Sequence, residues 1–395
     1  MSWLHRCPKS VVTSMFSPYF KIFRREFTYM WRDKGLRYVL ILIPLLSVLL
    51  FGLTYRAQVL TDIPTGVADL DNTIQSRELI QELEHAQNLE VMAHYPDYES
   101  LRRGIEKGEV VVGMVIPEQY GKKVGARQHA DVSMIIDGSN MIYGINSSTA
   151  VMLITRTISG ESGVKALLAK GININDAIDA FLAIDFREDS RFNPTINYAY
   201  FLVLGLILNI WQQCCTLLAA MTVIGETGKA SWKQFKLSTI SRFGLFASKS
   251  VAHIIIFMAV ASAIYGLCFS ILGLPLHCSF SLLLLFTLGF SISLHSIGTM
   301  ISSFARNASD ASRMSMVIAV PAFVLSGFTW PLEAMPVPLA AIVKWLPQTG
   351  FFQGVIALTM KDAGWSFVSH YFLQFIFIAV VCYGLTAVIH SVVER

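Results

Sequence analysis

Five stretches of the chain contain no Asp, Glu, Lys or Arg, and their apolar pattern predicts helices that cross a membrane. They are 18, 34, 56, 19 and 31 residues long and cover 38–55, 192–225, 250–305, 314–332 and 363–393. A bilayer core about 30 Å thick needs roughly 20 helical residues. The longest stretch would form a helix of about 84 Å, so it must fold back, and Gly273-Leu274-Pro275 supplies the break. The pattern therefore predicts six spans, at about 37–56, 197–224, 250–272, 279–304, 314–329 and 367–391.

Composition supports a membrane protein. Hydrophobic residues make up 54% of the 395 positions and charged residues only 15%, against roughly 25% charged in a typical globular protein. This balance excludes a disordered, collagen-like or disulfide-scaffold protein.

The distribution of charge predicts the orientation of the spans. The N-terminal tail holds eight basic residues, and the loop 225–249 holds five against one acidic residue. Both lie on one side of the membrane if there are six spans. Because basic residues collect on the cytoplasmic side, both termini are predicted to be cytoplasmic.

The segment between the first two spans, residues 57–196, is predicted to fold as an α/β domain outside the cytoplasm. It carries 12 basic and 20 acidic residues and no cysteine. Strand-like runs at 66–69, 89–95, 110–116 and 131–137 alternate with helix-like runs at 75–87, 97–107, 117–123 and 142–159. Asp69, Asp71 and Asp137 fall at strand ends, where α/β folds often bind ligands, but turn and helix-cap carboxylates are the favoured interpretation.

No charged residue lies in the interior of a predicted span, and no sequence motif for catalysis or metal binding occurs. His253 and His295 are interpreted as helix-packing residues. The run 225–230, GETGKA, has the wrong spacing for a phosphate-binding loop. The chain is therefore predicted not to be an enzyme, to bind no metal or cofactor of its own, and to take any driving energy from another subunit.

The polar and basic segments divide the chain into four regions. The cytoplasmic tail, 1–36, has the pattern of an interfacial amphipathic helix or of a simple anchor for the first span, 37–56. The outer domain, 57–196, follows, and 197–395 holds the remaining five spans. In this last region the loop 225–249 is either a short helix that docks into a partner or an ordinary basic loop.

Two further sets of residues have alternative interpretations. Asn209, Gln213 and Thr216 share one face of the second span, where they either line a substrate path or hold helices together by hydrogen bonds. The apolar segment 329–365 predicts re-entrant half-helices between spans five and six, or a juxtamembrane loop with aromatic anchors. Gly327 comes just before this segment, and Pro331, Pro336 and Pro347 mark its turns.

Several motifs taken together resemble the ABC-2-type permeases, the membrane subunits of type V ABC exporters, and specifically drug-exporter-like members with a large domain between the first two spans. The resemblance covers nearly the whole chain. It is carried by RREFTYMWRDKG (24–35), VADLDN (67–72), SREL (76–79), GEVVVGMVIPEQY (108–120), DVSMIIDGSN (131–140), FNP (192–194) and SGFTWPLEAMP (326–336) with LPQT (346–349).

The resemblance implies a permease of an ATP-driven exporter in the bacterial inner membrane, which moves an amphipathic or hydrophobic, drug- or lipid-like substrate. It implies a second permease chain, identical or a sister, cytoplasmic ATPase subunits that bind ATP and Mg²⁺, and a possible periplasmic adaptor and outer-membrane channel. The loop 225–249 would couple to the ATPase, through Glu226, Trp232, Phe235 and Lys249. This loop departs from the family pattern: Gly228-Lys229-Ala230-Ser231 replaces a Gly-Thr run, and Ser248-Lys249 stands for Gly-Lys.

The alternative function is a membrane scaffold or sensor that uses the outer domain and does not transport. Six spans with re-entrant pieces exceed what an anchor needs, and the sequence has no cytoplasmic signalling domain. The permease interpretation is therefore favoured.

Overall fold

The computed structural model describes residues 10–56, 60–126, 128–181, 191–194, 197–227 and 242–392. The chain forms two compact units, one of residues 57–190 and one of residues 1–56 with 191–395. The described part is mostly helical, with one small sheet.

The helices of the described residues are numbered here in chain order. They are α1 (Ser10–Arg32), α2 (Lys34–Thr54), α3 (Ile74–His85), α4 (Tyr98–Glu106), α5 (Tyr120–Gly125), α6 (Met141–Leu168), α7 (Ile174–Phe181), α8 (Tyr198–Ala219), α9 (Ile224–Thr227), α10 (Arg242–Ser270), α11 (Phe280–Phe304), α12 (Ala308–Val324), α13 (Val337–Val343), α14 (Pro347–Met360) and α15 (Trp365–Val392).

A four-stranded sheet organises the 57–190 unit. Its strands are β1 (Ile63–Asp69), β2 (Leu89–His94), β3 (Val112–Ile116) and β4 (Ser133–Ile136), in the order β2-β1-β3-β4. The first three strands are parallel and β4 is antiparallel to β3. All four strands predicted from the sequence are confirmed.

Helices cover both faces of this sheet. Val67 of β1 packs with Leu79 and Leu83 of α3, whereas the next residue, Ala68, packs with Leu101 of α4 on the opposite face. This alternation follows from the two-residue repeat of a strand. The helix α6 covers the same face as α3, through Val151.

Five helices among the described residues are long and apolar enough to cross a membrane. They are Lys34–Thr54, Tyr198–Ala219, Gly244–Ser270, Phe280–Phe304 and Trp365–Ile389. The first contains Pro44, and a π-helical turn at Tyr38–Leu42 comes directly before it. Proline has no N–H to donate within a helix, and its ring clashes with the carbonyl one turn earlier. The wider π-helical turn relieves that clash.

The remaining predicted span, 314–329, falls on α12. This helix ends at Val324 and has 17 residues, so it is about 26 Å long at ~1.5 Å per residue. Its buried face is a stripe of small residues, Ala311, Ser315, Ala319 and Ala322, which lets neighbouring helices approach closely. Five of the six predicted spans thus fall on described helices long enough to cross a membrane, and the sixth falls on this shorter helix.

The core of the helical unit is aromatic. α11 lies at its centre, where it packs against α8, α10, α14 and α15. The rings of Phe290 on α11 and Phe351 on α14 stack with centroids 3.9 Å apart, and Trp211 of α8 lies beside both. These three side chains are fully buried.

The segment after α12 folds into short helices, and each of its prolines stands where a helix begins. Pro331 precedes the 3-10 turn Leu332–Ala334, Pro336 precedes α13, and Pro347 is the first residue of α14. Proline suits these positions because its fixed φ is helical and the N–H it lacks has no partner there. Gly327 has a φ of +78°, and Gln353 of α14 donates a 3.0 Å hydrogen bond to its carbonyl.

Candidate functional site

A cluster of buried charged and polar side chains lies where α1 packs against α10. Glu26 of α1 is 6% exposed and Lys249 of α10 is 3% exposed. The Lys249 Nζ lies 3.7 Å from Glu26 Oε1 and donates a 2.8 Å hydrogen bond to the carbonyl of Thr222. Thr222 stands in the turn between α8 and α9. One ammonium group therefore joins three separate segments of the helical unit.

The position of Glu26 follows from the helical repeat of α1. Ile22, Glu26 and Met30 are spaced four residues apart and are all buried, so they form one stripe. Arg25 donates a 2.7 Å hydrogen bond to Glu26 Oε1. Burial raises the pKa of Glu26, but the imidazole of His253 and the charges of Lys249 and Arg25 outweigh burial and lower the pKa to about 2. Glu26 is consequently ionised at neutral pH.

Two histidines extend the cluster from α10 to α11 and α15. His253 Nε2 lies 3.8 Å from Glu26 Oε2, and His253 Nδ1 lies 3.0 Å from His295 Nε2 on α11. His295 Nδ1 lies 2.9 Å from the hydroxyl of Tyr383 on α15. We call these five side chains the buried relay: Glu26, Lys249, His253, His295 and Tyr383.

One assignment of ring protons satisfies the contacts that lead from Glu26 through the two histidines to Tyr383. An ionised carboxylate only accepts, so we place a proton on His253 Nε2, which faces Glu26. His253 Nδ1 then accepts from His295 Nε2–H, and His295 Nδ1 accepts from the Tyr383 hydroxyl. The donors all point toward Glu26, and the relay connects α1, α10, α11 and α15.

The structure corrects one helix boundary expected from the sequence. The helix of the third span begins at Arg242 rather than near residue 250, and Lys249 lies inside the membrane-length helix Gly244–Ser270. The charge-free stretch that begins at residue 250 therefore continues a longer helix, which carries Lys249 just before that stretch. The contact between His253 of α10 and His295 of α11 agrees with their interpretation as helix-packing residues, and the structure adds that this contact continues from Glu26. Sequence reasoning also missed Glu26, whose only signal is its place between Ile22 and Met30 in an apolar i, i+4 pattern.

Of the four residues expected to couple to an ATPase, the structure places Lys249 in the relay. The backbone of Glu226 belongs to α9, a short helix just after the Thr222 turn. Trp232 and Phe235 lie outside the described residues.

The proposed substrate-path residues form hydrogen bonds within α8. The side-chain amides of Gln212 and Gln213 each donate a 3.1 Å hydrogen bond to Asn209 Oδ1, and the Thr216 hydroxyl donates to the Gln212 carbonyl at 2.8 Å. Thr216 is buried, whereas Asn209 and Gln213 are partly exposed. Gln212 is fully buried, and its Oε1 has no hydrogen-bond partner within the described structure.

Of the predicted re-entrant residues, Pro347 begins α14 and Gly327 accepts a hydrogen bond from Gln353 of that helix, which is almost entirely buried. Phe351, Phe352 and Leu358 of α14 are fully buried. The last turn of α14 is held by His277 of the α10–α11 loop, whose backbone N–H and ring Nδ1 both approach the Thr359 carbonyl, at 3.1 and 2.7 Å.

The strand-end carboxylates of the 57–190 unit have local structural partners. Asp69 Oδ1 accepts from the backbone N–H groups of Asp71 and Asn72, each at 3.0 Å. Asp71 Oδ2 accepts from the Gly121 N–H at 2.7 Å, and Asp137 Oδ1 accepts from the Ser139 N–H at 2.9 Å. The interpretation as turn and cap carboxylates is confirmed. Among the described residues, no group of three His, Cys, Asp or Glu side chains could hold a metal ion.

Long apolar helices packed around an aromatic core, with a buried charged relay where an amphipathic helix joins them, define a multi-pass membrane protein. The sequence profile described as "ABC-2 family transporter protein" matches residues 34–388, and the chain belongs to this family. It is therefore the permease subunit of an ABC-2-type transporter and not itself an enzyme, and the resemblance noted from the sequence motifs is confirmed.

The chain is also similar to several curated proteins of Escherichia coli K12. It is 24% identical to the probable multidrug ABC transporter permease YbhR over 349 residues, which are 88% of this chain and 91% of YbhR. It is 23% identical to the inner membrane transport permease YhhJ over 314 residues, 78% of this chain and 80% of YhhJ. It is 24% identical to the probable multidrug ABC transporter permease YbhS over 169 residues, 42% of this chain and 45% of YbhS.

Proposed function

We propose that this chain is the membrane-spanning half of an ATP-driven exporter and that it moves amphipathic or hydrophobic, drug- or lipid-like molecules out of the cytoplasm or inner leaflet. Two such chains, identical or sisters, assemble with two cytoplasmic ATPase subunits that bind ATP and Mg²⁺. The names of YbhR and YbhS as multidrug permeases support the substrate class. The absence of a phosphate-binding motif from the sequence supports a separate ATPase.

The observation that carries this proposal is the buried relay. Glu26 and Lys249 meet where α1 packs against α10, and Lys249 also contacts the Thr222 turn, after which the loop 225–249 begins. A displacement of that loop would move the Thr222 turn or Lys249, and α1 would follow through Glu26. Because His253, His295 and Tyr383 continue the contacts, the displacement would reach α11 and α15 as well. Packed helices with two discrete arrangements transmit movement in this way.

The placement of the termini, of the re-entrant segment and of the 57–190 unit follows from the same orientation in the membrane. We place the chain in the bacterial inner membrane with both termini cytoplasmic, in line with its basic tail and with the printed name of YhhJ. The α13 and α14 helices are the re-entrant segment, since α14 is buried and its end contacts the α10–α11 loop. The 57–190 unit lies on the outer side, where a second permease chain or a periplasmic adaptor with its outer-membrane channel would contact it.

We place the substrate path along the α8 face of Asn209 and Gln213, which are the partly exposed members of the polar set. The buried side-chain oxygen of Gln212, Oε1, lies beside them and is an acceptor that a substrate donor could satisfy.

Reconstitution tests this proposal. The full chain is placed in proteoliposomes with its partner ATPase, and the movement of a fluorescent amphipathic dye is followed with and without ATP. Dye movement that requires ATP, the ATPase and this chain together is the expected result. ATP-independent leakage, or no movement while the assembled complex hydrolyses ATP, would contradict a transport role and favour a scaffold. The chain alone should not hydrolyse ATP.

A further inference from the structure

The exposed side of α1 presents a basic groove beside an aromatic stripe. Lys21, Arg24, Arg25, Thr28, Tyr29 and Arg32 line a groove of about 460 Å³. The aromatic stripe consists of Phe20, Phe23, Phe27 and Trp31. Phe20 is 63% exposed and Trp31 is 58% exposed, whereas Phe23 is partly buried against the helical core, so the described residues leave most of this stripe uncovered.

The two surfaces follow from the sequence positions around one helix. At about 100° per residue, the buried stripe Ile22, Glu26 and Met30 occupies one arc, and the aromatic stripe occupies the next arc. The rings of Phe20, Phe23 and Phe27 stack in series, with centroids 6.1 and 6.3 Å apart. The basic groove follows on the third arc. The helix thus has one face for α10, one apolar face and one cationic face.

The helix also has its own direction, separate from the span that follows it. Asp33 leaves the helical region, with φ −75° and ψ 112°, and its side chain accepts from the Leu36 N–H at the start of α2. Arg32 and Trp31 therefore stand immediately before the point where the chain enters the membrane-length helix Lys34–Thr54. This places the groove at the level of the lipid headgroups.

We infer that the basic groove of α1 binds the anionic headgroup of a phospholipid while the aromatic stripe enters the adjoining acyl layer. Three of its cations, Lys21, Arg24 and Arg32, form no ion pair with any carboxylate in the described part of the chain. Guanidinium groups match phosphate oxygens in geometry and charge. An acidic protein segment would satisfy the cations but would leave the neighbouring apolar stripe exposed, whereas a leaflet satisfies both surfaces. This inference goes beyond the transport function and does not depend on it.

Native mass spectrometry of the detergent-purified full chain tests the inference. The protein is titrated with phosphatidylglycerol and, separately, with phosphatidylcholine of the same acyl chains. We expect phosphatidylglycerol to be retained preferentially. In the triple variant Lys21→Gln, Arg24→Gln and Arg32→Gln, we expect its affinity to fall by roughly a hundredfold, since each basic residue near a phosphate contributes about a factor of five.

Two control variants separate the effect of charge on α1 from other effects. The triple variant Lys21→Arg, Arg24→Lys and Arg32→Lys retains the charges and should retain the lipid. The triple variant Arg103→Gln, Lys122→Gln and Lys170→Gln removes three exposed cations from the 57–190 unit and should bind like the unaltered chain. Equal retention of both lipids by the unaltered chain would overturn the inference. The inference would also be overturned if the variant Lys21→Gln, Arg24→Gln and Arg32→Gln retained phosphatidylglycerol as well as the unaltered chain does. That holds too if this variant lost a protein partner while its lipid retention stayed unchanged.

Discussion

The contact between Glu26 and Lys249 permits a quantitative prediction about stability. At 3.7 Å and an effective dielectric constant of about 20, two unit charges attract by about 4 kcal/mol. The fall in the Glu26 pKa from 4.5 to about 2 corresponds to about 3 kcal/mol of preference for the ionised form. Desolvation offsets part of the attraction. We therefore expect a coupling energy between the two side chains of about 2–3 kcal/mol.

A double-mutant cycle measures this energy. Glu26→Gln and Lys249→Met each disrupt a buried pair and should each lower the free energy of unfolding by about 3–5 kcal/mol. The double variant should lose less than the sum of the two, because it removes both charges together. Unfolding is followed in mixed micelles with a thiol-reactive dye, since Cys214, Cys215, Cys268 and Cys382 are buried thiols. Cys7 and Cys278 are replaced by Ser in every variant.

The matched control is Lys361→Met, which removes an exposed lysine just after α14 and should change the free energy of unfolding by less than about 0.5 kcal/mol. Strictly additive effects of Glu26→Gln and Lys249→Met would refute the reasoning. So would single variants as stable as the control, because both outcomes mean that the two charges do not stabilise each other.

Three further predictions concern pH, helix packing and the histidine chain. Because the pKa of Glu26 is depressed, its contribution to stability is complete above pH 4.5 and is lost as the pH falls toward 2. The unaltered chain should therefore lose more of its free energy of unfolding over that range than the Glu26→Gln variant. Equal losses in the two proteins would contradict this prediction. A Cβ on Gly298 of α11 would lie 2.3 Å from the Ala219 Cβ of α8, so Gly298→Ala should destabilise the chain by about 1–3 kcal/mol. In the control Gly266→Ala on α10, the new Cβ meets no atom within 4 Å, so this variant should be as stable as the unaltered chain or more stable. Equal unfolding curves for the two variants would show that α8 and α11 cross less closely than described. Tyr383→Phe removes the hydroxyl 2.9 Å from His295 Nδ1 and should cost about 1–3 kcal/mol, measured by the same dye assay, and a variant as stable as the unaltered chain would exclude that hydrogen bond from the relay.

Local patterns in the sequence predict much of this fold. The strands β1 to β4 were predictable because each is a short apolar run ending in polar turn residues, and the spans were predictable because charge-free stretches have no other stable environment. The N-terminal start of α10 was misplaced because Lys249 is charged, although its ammonium group is neutralised and hydrogen-bonded after folding. Local patterns carry no information on such compensation by distant residues.

The candidate site was much less accessible from the sequence. Lys249 was selected by family resemblance, but Glu26, His295 and Tyr383 are separated from it by tens to hundreds of residues. Their contacts depend on how α1, α11 and α15 pack against α10, and helix packing is not encoded in any single window of the sequence. Glu26 in particular stands among basic residues on a helix whose more conspicuous feature is its aromatic stripe.

The most direct test of the central claim is the ratio of substrate molecules moved to ATP molecules hydrolysed. It is measured in proteoliposomes that contain the partner ATPase and either the unaltered chain, the Glu26→Gln and Lys249→Met double variant, or the Lys361→Met control. If the buried relay transmits movement to the spans, the double variant should hydrolyse ATP while its ratio falls at least roughly tenfold, a loss of about 1.4 kcal/mol or more of coupling. A ratio equal to that of the unaltered chain and of Lys361→Met would contradict the account.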